Sequence, residues 1–398
     1  MAKDPAGGHF SKKVDVHVPP AFTRIAQRVE SVLTKLDSTV DLSQIQHLKA
    51  CYSQLMCPDI DYDLYGKTFT YMYFIKNFWK AACVFLREPP PPAKQVLDVG
   101  CGSGAVAIAY LAFLDESLAS EKSKIHVTLI DRSRAQLNLA ENLIRSIEPE
   151  LHNLEIVFHF RCTDLQRWQP NENGADLVFL GHVLNENRSN VGLLLEKAFF
   201  TTAGNGSVYI IERKDDPIWH EVEQAIAQLA VPCTYGDTRL GMLDSETRKY
   251  SRRDAETDIT TRYALLSIPK KKQLVDLVRL YFRSWRIQSV ESLKQIFAPD
   301  AEYYEKPHKP PLCGIEEIEA YWRDNVLPQR NINITILRTA YTHDNAFAEW
   351  VAKFTISREA VQLRGTLVLN VDQKTNRVVR LDEYYHSRKH RLVVNNND

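Results

Sequence analysis

The stretch Val96-Leu97-Asp98-Val99-Gly100-Cys101-Gly102-Ser103-Gly104 decides the fold. A short apolar strand, Gln95 to Val99, runs directly into a glycine-rich turn, and the apolar run from Ala105 to Leu114 continues as a helix. Glycines at 100, 102 and 104 allow a tight turn and a close approach of a ligand to the helix N-terminus. The order is acid-x-Gly-x-Gly-x-Gly, with Asp98 ahead of the first glycine, whereas a dinucleotide fingerprint reads Gly-x-Gly-x-x-Gly. An acid inside such a turn repels a pyrophosphate and suits the ammonium of an amino acid.

Outward from this turn the pattern alternates. Ile125 to Ile130, Leu154 to Phe160, Ala175 to Leu180 and Gly206 to Glu212 read as strands, and Ser133 to Ile147, Val191 to Phe200 and Glu221 to Leu229 as helices. Strands alternating with helices of this length predict βαβ units and a parallel sheet. Thr260 to Ile268 alternates like a final, antiparallel strand. Upstream, Pro19 to Lys49 and Leu42 to Cys51 have helical spacing. An aromatic segment from Tyr62 to Trp79 follows, and the prolines 89 to 92 form a stiff joint.

The strand ends supply the candidate site. Asp131, followed by Arg132, closes the second strand and is placed to accept hydrogen bonds from both hydroxyls of a ribose, although an acid before a helix is also an ordinary cap. Asp164 and Leu165 follow the third strand, and Gly181 and His182 end the fourth, where ligands of open α/β sheets collect. Residues 94 to 214 thus resemble the class I methyltransferases that depend on S-adenosylmethionine (SAM), an α/β, Rossmann-like family with a seven-stranded sheet. The resemblance implies SAM as cofactor. It puts Asp98, Gly100, Gly102 and Gly104 around the methionine moiety, Asp131 at the ribose, Asp164 and Leu165 at the adenine, and Gly181 and His182 on the acceptor side, with Cys101 and Arg132 also among the cofactor-binding residues. The segment Asp176 to Glu186 also resembles methyltransferase-like proteins of mitochondrial small ribosomal subunits, but that family's metal-site cysteines are not apparent, and no ribosomal role is carried over.

Methyl transfer from a sulfonium requires alignment and, for a protonated acceptor, a base. His182 is the candidate base, with Glu186 one turn later to orient it. No metal is required. The aromatic segment is a candidate lid, with Tyr65 and Tyr71 picked to face the site, because aromatic faces hold cations. An Asn/Asp-Pro-Pro-Tyr/Phe motif, the mark of adenine amino methylation, is absent after the fourth strand, which disfavours a nucleic-acid base as acceptor.

Beyond Pro269 to Lys272 the order changes to helices (Gln273 to Ile287, Ser292 to Phe297, Ile315 to Val326) and then strands (Asn331 to Tyr341, Asn345 to Ser357, Ala360 to Val371, Val378 to His386). Tyr281-Phe282-Arg283-Ser284-Trp285, Ala298-Pro299-Asp300-Ala301 and Tyr384-Tyr385-His386 make Leu277 to Arg388 similar to the nuclear transport factor 2-like superfamily. That resemblance implies a curved sheet wrapped by helices into an α+β cone, with Tyr303, Trp322, Glu349, Arg364 and Tyr385 as candidate pocket groups. The expected organisation is a helical cap over 1–92, the cofactor domain over 93–269, the cone over 270–388 and a tail over 389–398.

The chain has 398 residues, too many for one core, which supports two domains. Fifty basic against fifty acidic side chains give no net attraction to nucleic acid or an anionic membrane. Seven cysteines, at 51, 57, 83, 101, 162, 233 and 313, lack metal spacing, and Met1 to Lys13 has no apolar signal core, so a reduced, cytoplasmic setting is expected. The sequence reading is a methyltransferase for a small molecule, in specialised metabolism, with the cone aiding substrate binding or forming a homodimer. The rival readings are an RNA or protein acceptor and a SAM-binding scaffold without catalysis.

Overall fold

The computed structural model describes residues 18–37, 40–53, 60–118, 122–169, 174–239, 260–269, 272–306, 308–357, 359–372 and 374–391. The expectations at Met1 to Lys13 and at Cys57 lie outside these residues, as do 270–271 of the expected joint and 392–398 of the expected tail.

The chain begins with α1 (Pro20–Asp37), α2 (Leu42–Ser53) and α3 (Tyr62–Arg87). The alternating part comprises β1 (Gln95–Val99), α4 (Ala105–Ser117), β2 (Ser123–Asp131), α5 (Arg134–Ile147), β3 (Leu154–Cys162), β4 (Ala175–Gly181), α6 (Val191–Thr201), β5 (Thr202–Arg213), α7 (Trp219–Leu229), β6 (Cys233–Arg239) and β7 (Thr260–Ser267). These strands form one seven-stranded sheet, ordered β3-β2-β1-β4-β5-β7-β6. The first five strands are parallel, and β7 runs antiparallel between β5 and β6. The order reverses direction between β1 and β4, so their C-terminal ends open a crevice. The strand β6, Cys-Thr-Tyr-Gly-Asp-Thr-Arg, escaped the sequence reading because it has no apolar run and lies at the sheet edge.

Both faces of the sheet are covered. On one, Phe78, Trp79 and Phe85 of α3 join Ile108 and Leu111 of α4, Leu137 and Ile144 of α5 and Phe22 of α1 against Val127, Phe179 and Tyr209. On the other, Leu194 and Phe199 of α6 and Val222 and Ile226 of α7 cover Val178, Leu180 and Ile210. The C-terminal half of α3 is therefore core rather than cap. Phe85 touches Phe179 and Tyr209 at centroid distances of 5.4 and 5.8 Å, and burying such a ring contributes about 2 kcal/mol or more.

The second domain comprises α8 (Lys272–Ile287), α9 (Leu293–Ile296), β8 (Phe297–Tyr304), β9 (Leu312–Cys313), α10 (Ile315–Asn325), β10 (Arg330–Tyr341), β11 (Asn345–Ile356), β12 (Glu359–Asp372) and β13 (Arg377–Arg391). Its six-stranded sheet is ordered β10-β11-β12-β13-β8-β9. The sequence reading ended a helix at Phe297, whereas Phe297 begins β8, which pairs in parallel with β13. Pro299 and Asp300 lie within this strand. The last strand also continues past the expected domain end, with Lys389, His390 and Arg391 paired to Val361, Ala360 and Glu359. The two domains touch where Thr339 donates to the Ala230 carbonyl at 3.2 Å and where Arg279 meets Glu196 at 2.8 Å. Among the described residues no helix is long and apolar enough to cross a membrane.

Candidate functional site

The crevice at the ends of β1, β2 and β4 is a cleft of about 930 Å³, open solvent at its mouth included. Gly100, Cys101, Gly102 and Ser103 form its floor, Asp131 and Arg132 one wall, Asp164, Leu165 and Gln166 a second, and Gly181, His182, Val183, Glu186 and Asn187 a third. Tyr62, Phe69, Phe74 and Asn77 of α3 roof it.

The turn requires its glycines. Gly100 and Gly102 have φ of +67° and +52°, a region costly for other residues. A Cβ on Gly100 would lie 2.2 Å from Val183 Cγ2, while the space beside Gly102 is open, with nothing nearer than Gln136 Oε1 at 3.9 Å. Gly181 is a close approach of another kind, since a Cβ there would meet Val106 at 2.5 Å.

The carboxylates are placed differently from one another. Asp131 is 9% exposed. Its Oδ2 accepts from the Gly102 nitrogen at 2.8 Å and its Oδ1 from the Ser133 nitrogen at 2.9 Å. Burial raises its pKa despite those hydrogen bonds. Asp98 does not border the cleft. It is 1% exposed and accepts from the Ala107 nitrogen at 3.2 Å, inside the first turn of α4. Burial pushes it up to about 7, with nearby Asp131 adding to the rise. Gly104 also lies behind the turn, packed toward Leu129 and Ala140. The expectation that Asp98 and Gly104 surround a ligand directly is therefore corrected: both support the turn from beneath, because the strand buries its last residues before the backbone emerges.

Asp164 is exposed at the rim and accepts from the Gln166 nitrogen at 2.7 Å, and Leu165 is buried beside it. Arg132 lies 5.9 Å over the Tyr62 ring.

His182 adopts a left-handed backbone, φ +57°, with its nitrogen donating to the Ile211 carbonyl at 2.8 Å. That bond sets its ring beside Glu212, the last buried residue of β5, with Nδ1 3.7 Å from Glu212 Oε2. Glu212 Oε1 accepts from the Leu184 and Asn185 nitrogens at 2.9 and 3.4 Å. Among the described residues Glu212 Oε2 and His182 Nε2 have no hydrogen-bond partner. Burial pushes Glu212 up to about 8, and burial, then Lys80 and Arg213, holds His182 well below the usual imidazole range. Glu186, expected to orient His182, instead accepts from the Tyr62 hydroxyl. The segment after β4 is a turn, not a helix, so residues four apart do not share a face.

The picks on α3 are also corrected. Tyr65 stacks on His47 at 5.1 Å, and Tyr71 packs with Leu48, Ile60 and Met72. Neither borders the cleft. Tyr62, Phe69 and Asn77 do, on the stripe completed by Gly66 and Tyr73, a three-four spacing readable in the sequence. Buried Gln136 holds this roof, donating to the Gly66 carbonyl at 3.2 Å and accepting from Thr70 at 3.3 Å. Glu212 also had a signal: like Asp98 and Asp131, it is an acid closing an apolar parallel strand.

The cone holds a second cavity, about 880 Å³ with open solvent included, which Tyr303, Trp322 and Tyr385 line as expected. Glu349 and Arg364 do not: they pair with each other at 2.8 Å, and Glu349 also pairs with Arg338, outside that cavity. The missed groups are Tyr281 and buried Glu383, which accepts from Tyr281 and Tyr303 at 2.8 and 2.9 Å and is pushed by burial up to about 7.

Residues 91–257 match the family model described as a methyltransferase domain, and residues 278–381 match that of a SnoaL-like domain. No curated protein matches the sequence. Solved structures similar to part of the chain include a computationally designed 17-OHP binder, at 15% identity and TM-score 0.27 over 30% of this chain and 96% of that one. An LEH-like epoxide hydrolase from Mycobacterium tuberculosis matches at 15% identity and TM-score 0.27, over 30% of this chain and 86% of its own. The epoxide hydrolase/cyclase-like enzyme SalBIII of salinomycin pyran-ring formation matches at 15% identity and TM-score 0.26, over 28% and 88%.

Proposed function

We propose that this chain, a methyltransferase domain joined to a SnoaL-like domain, transfers a methyl group from SAM to a small-molecule acceptor, the second domain aiding acceptor binding or dimerisation. One observation carries the reading: the protein's own carboxylates occupy an amide of the glycine turn and one in the first turn of the helix that follows it. Asp131 takes the Gly102 nitrogen and Asp98 the Ala107 nitrogen. A phosphate would need the Gly102 donor at the helix N-terminus and would meet the Asp131 carboxylate there instead. A cationic amino acid joined to a nucleoside suits it.

The cofactor supplies a methyl group already activated on a sulfonium. The chain's work is to align an acceptor with it and, where that acceptor carries a proton, to remove the proton. Each Asp131 oxygen keeps a lone pair for a ribose hydroxyl. The open side of Gly102, with Gly100 and Cys101, receives the amino-acid end, and Asp164 and Leu165 receive the adenine. His182 lies at the acceptor end as the base, under the Tyr62, Phe69 and Phe74 roof, which favours an apolar or aromatic acceptor. The cone cavity, with Glu383 held between two tyrosines, supports a small-molecule role for the second domain.

Incubating the full chain with methyl-labelled SAM and a cell metabolite extract tests the reading. A labelled small molecule is expected. Label appearing only in RNA or protein, or in no product, would overturn it.

A further inference from the structure

Resting on the reading of His182 as the base, we propose that Glu212 is the positioning residue that decides which ring nitrogen of His182 carries the hydrogen, and so whether Nε2 can take a proton. The two groups lie at the ends of adjacent parallel strands, His182 directly after β4 and Glu212 in β5, and are held together because the His182 nitrogen bonds the carbonyl of the residue before Glu212. Glu212 is completely buried and anchored at one oxygen: Oε1 receives the Leu184 and Asn185 amides. Both its lone pairs are used there, so a proton on this carboxyl resides on Oε2, the oxygen facing Nδ1 at 3.7 Å. Such contacts commonly tighten when a site is loaded.

Two states follow. With Glu212 protonated, Oε2 donates to Nδ1, and a neutral ring that accepts at Nδ1 carries its hydrogen on Nε2. His182 is then a donor at Nε2 and no base. With Glu212 ionised, Nδ1–H donates to Oε2, and Nε2 presents a lone pair. Burial sets the Glu212 ionisation near 8. The groups that act on the pair are Lys80 from α3 and Arg213 from β5, which disfavour a charged imidazole, and Glu186 and Asp216 from the loops after β4 and β5, which disfavour a charged Glu212. Base action by His182 is therefore gated by a carboxyl that never touches the acceptor.

The test is nitrogen-15 NMR of the full chain, with the His182 ring assigned by comparison with His182→Gln. At about pH 6.5 the ring should carry hydrogen on Nε2, and at about pH 9.5 on Nδ1. In Glu212→Gln the side-chain oxygen accepts from the same two amides and the amide group donates to Nδ1 at every pH, so the Nε2–H form should persist throughout. Its kcat should fall about 100-fold at the upper pH, with the acceptor KM unchanged. A wild-type ring with one tautomer across the range, or a Glu212→Gln ring that follows the wild type, would overturn the proposal. The wild-type titration, run with the demethylated product of SAM bound because 3.7 Å exceeds a hydrogen bond and the contact has to tighten, needs no variant to fold and no acceptor. An absent methyl transfer with the tautomer change intact would therefore sink the functional reading and leave this one standing.

Discussion

The Oδ2 atom of Asp131, at the end of β2, lies 2.8 Å from the backbone nitrogen of Gly102, in the turn that follows β1. One strand's terminal acid thus fills the anion position of its neighbour's turn and leaves the cleft suited to a cationic nucleoside. Asp131→Asn removes the charge while keeping the shape. It should weaken SAM at least about tenfold, the scale of one or two charge-assisted hydrogen bonds. Asp98→Asn, beneath the turn, should weaken it less. Calorimetry on the two variants checks the order, and a larger loss at Asp98 would contradict it.

Gly100→Ala combines a left-handed backbone with a 2.2 Å approach to Val183. Urea denaturation should show a loss of about 3 kcal/mol. Adding Val183→Ala should restore only part of the steric share, because the retained Cβ of residue 183 would still lie 2.8 Å from the new methyl carbon. Equal stability of the single and double variants would mean that Val183 is not what the new methyl group meets.

The roof depends on Gln136 of α5, buried at 1% exposure against α3. Gln136→Ala leaves the Gly66 carbonyl and the Thr70 hydroxyl without these partners, at a cost of about 1–3 kcal/mol. Hydrogen exchange should quicken in 62–77 while 78–87, packed on the sheet, stays protected. Uniform loss of protection along α3 would show that its two halves are one unit.

Asp98, Glu212 and Glu383 are buried acids raised from 3.8, 4.5 and 4.5 to about 7, 8 and 7. Between those limits the native chain holds protons that the unfolded chain has released. Stability therefore falls as pH rises, fully present below the unfolded values and lost progressively up to about pH 8. The Tm of the ligand-free protein should drop by several degrees between about pH 5.5 and pH 8.5. Glu383→Gln should make that slope shallower, and a Tm that rises over the range would contradict the assignment.

The sheet was legible because β1 to β5 are apolar runs interrupted by helices with clear spacing. β6 and β8 were not: the first is an edge strand of polar residues, and the second carries Pro299 and Asp300 within a strand that pairs only with distant β13 and with β9. At the site, Gly100, Cys101, Gly102, Asp131, Arg132, Asp164, Leu165, Gly181 and His182 do converge on one cleft. Asp98 and Gly104 share the motif but point into the support beneath it, a distinction that depends on burial rather than spacing. Tyr65 and Tyr71 were chosen for ring chemistry, when the helical stripe through Tyr62, Phe69 and Asn77 decides which rings face the cleft. Glu212 lies 30 residues after His182 in the chain, and only the parallel pairing of β4 with β5 brings the two together.

The most direct measurement is equilibrium calorimetry of the full chain with SAM and, separately, with a nicotinamide dinucleotide. A single saturable site for SAM, weakened in Asp131→Asn, with no heat from the dinucleotide, is the predicted result. Tight dinucleotide binding with no heat from SAM or its demethylated product would contradict the account.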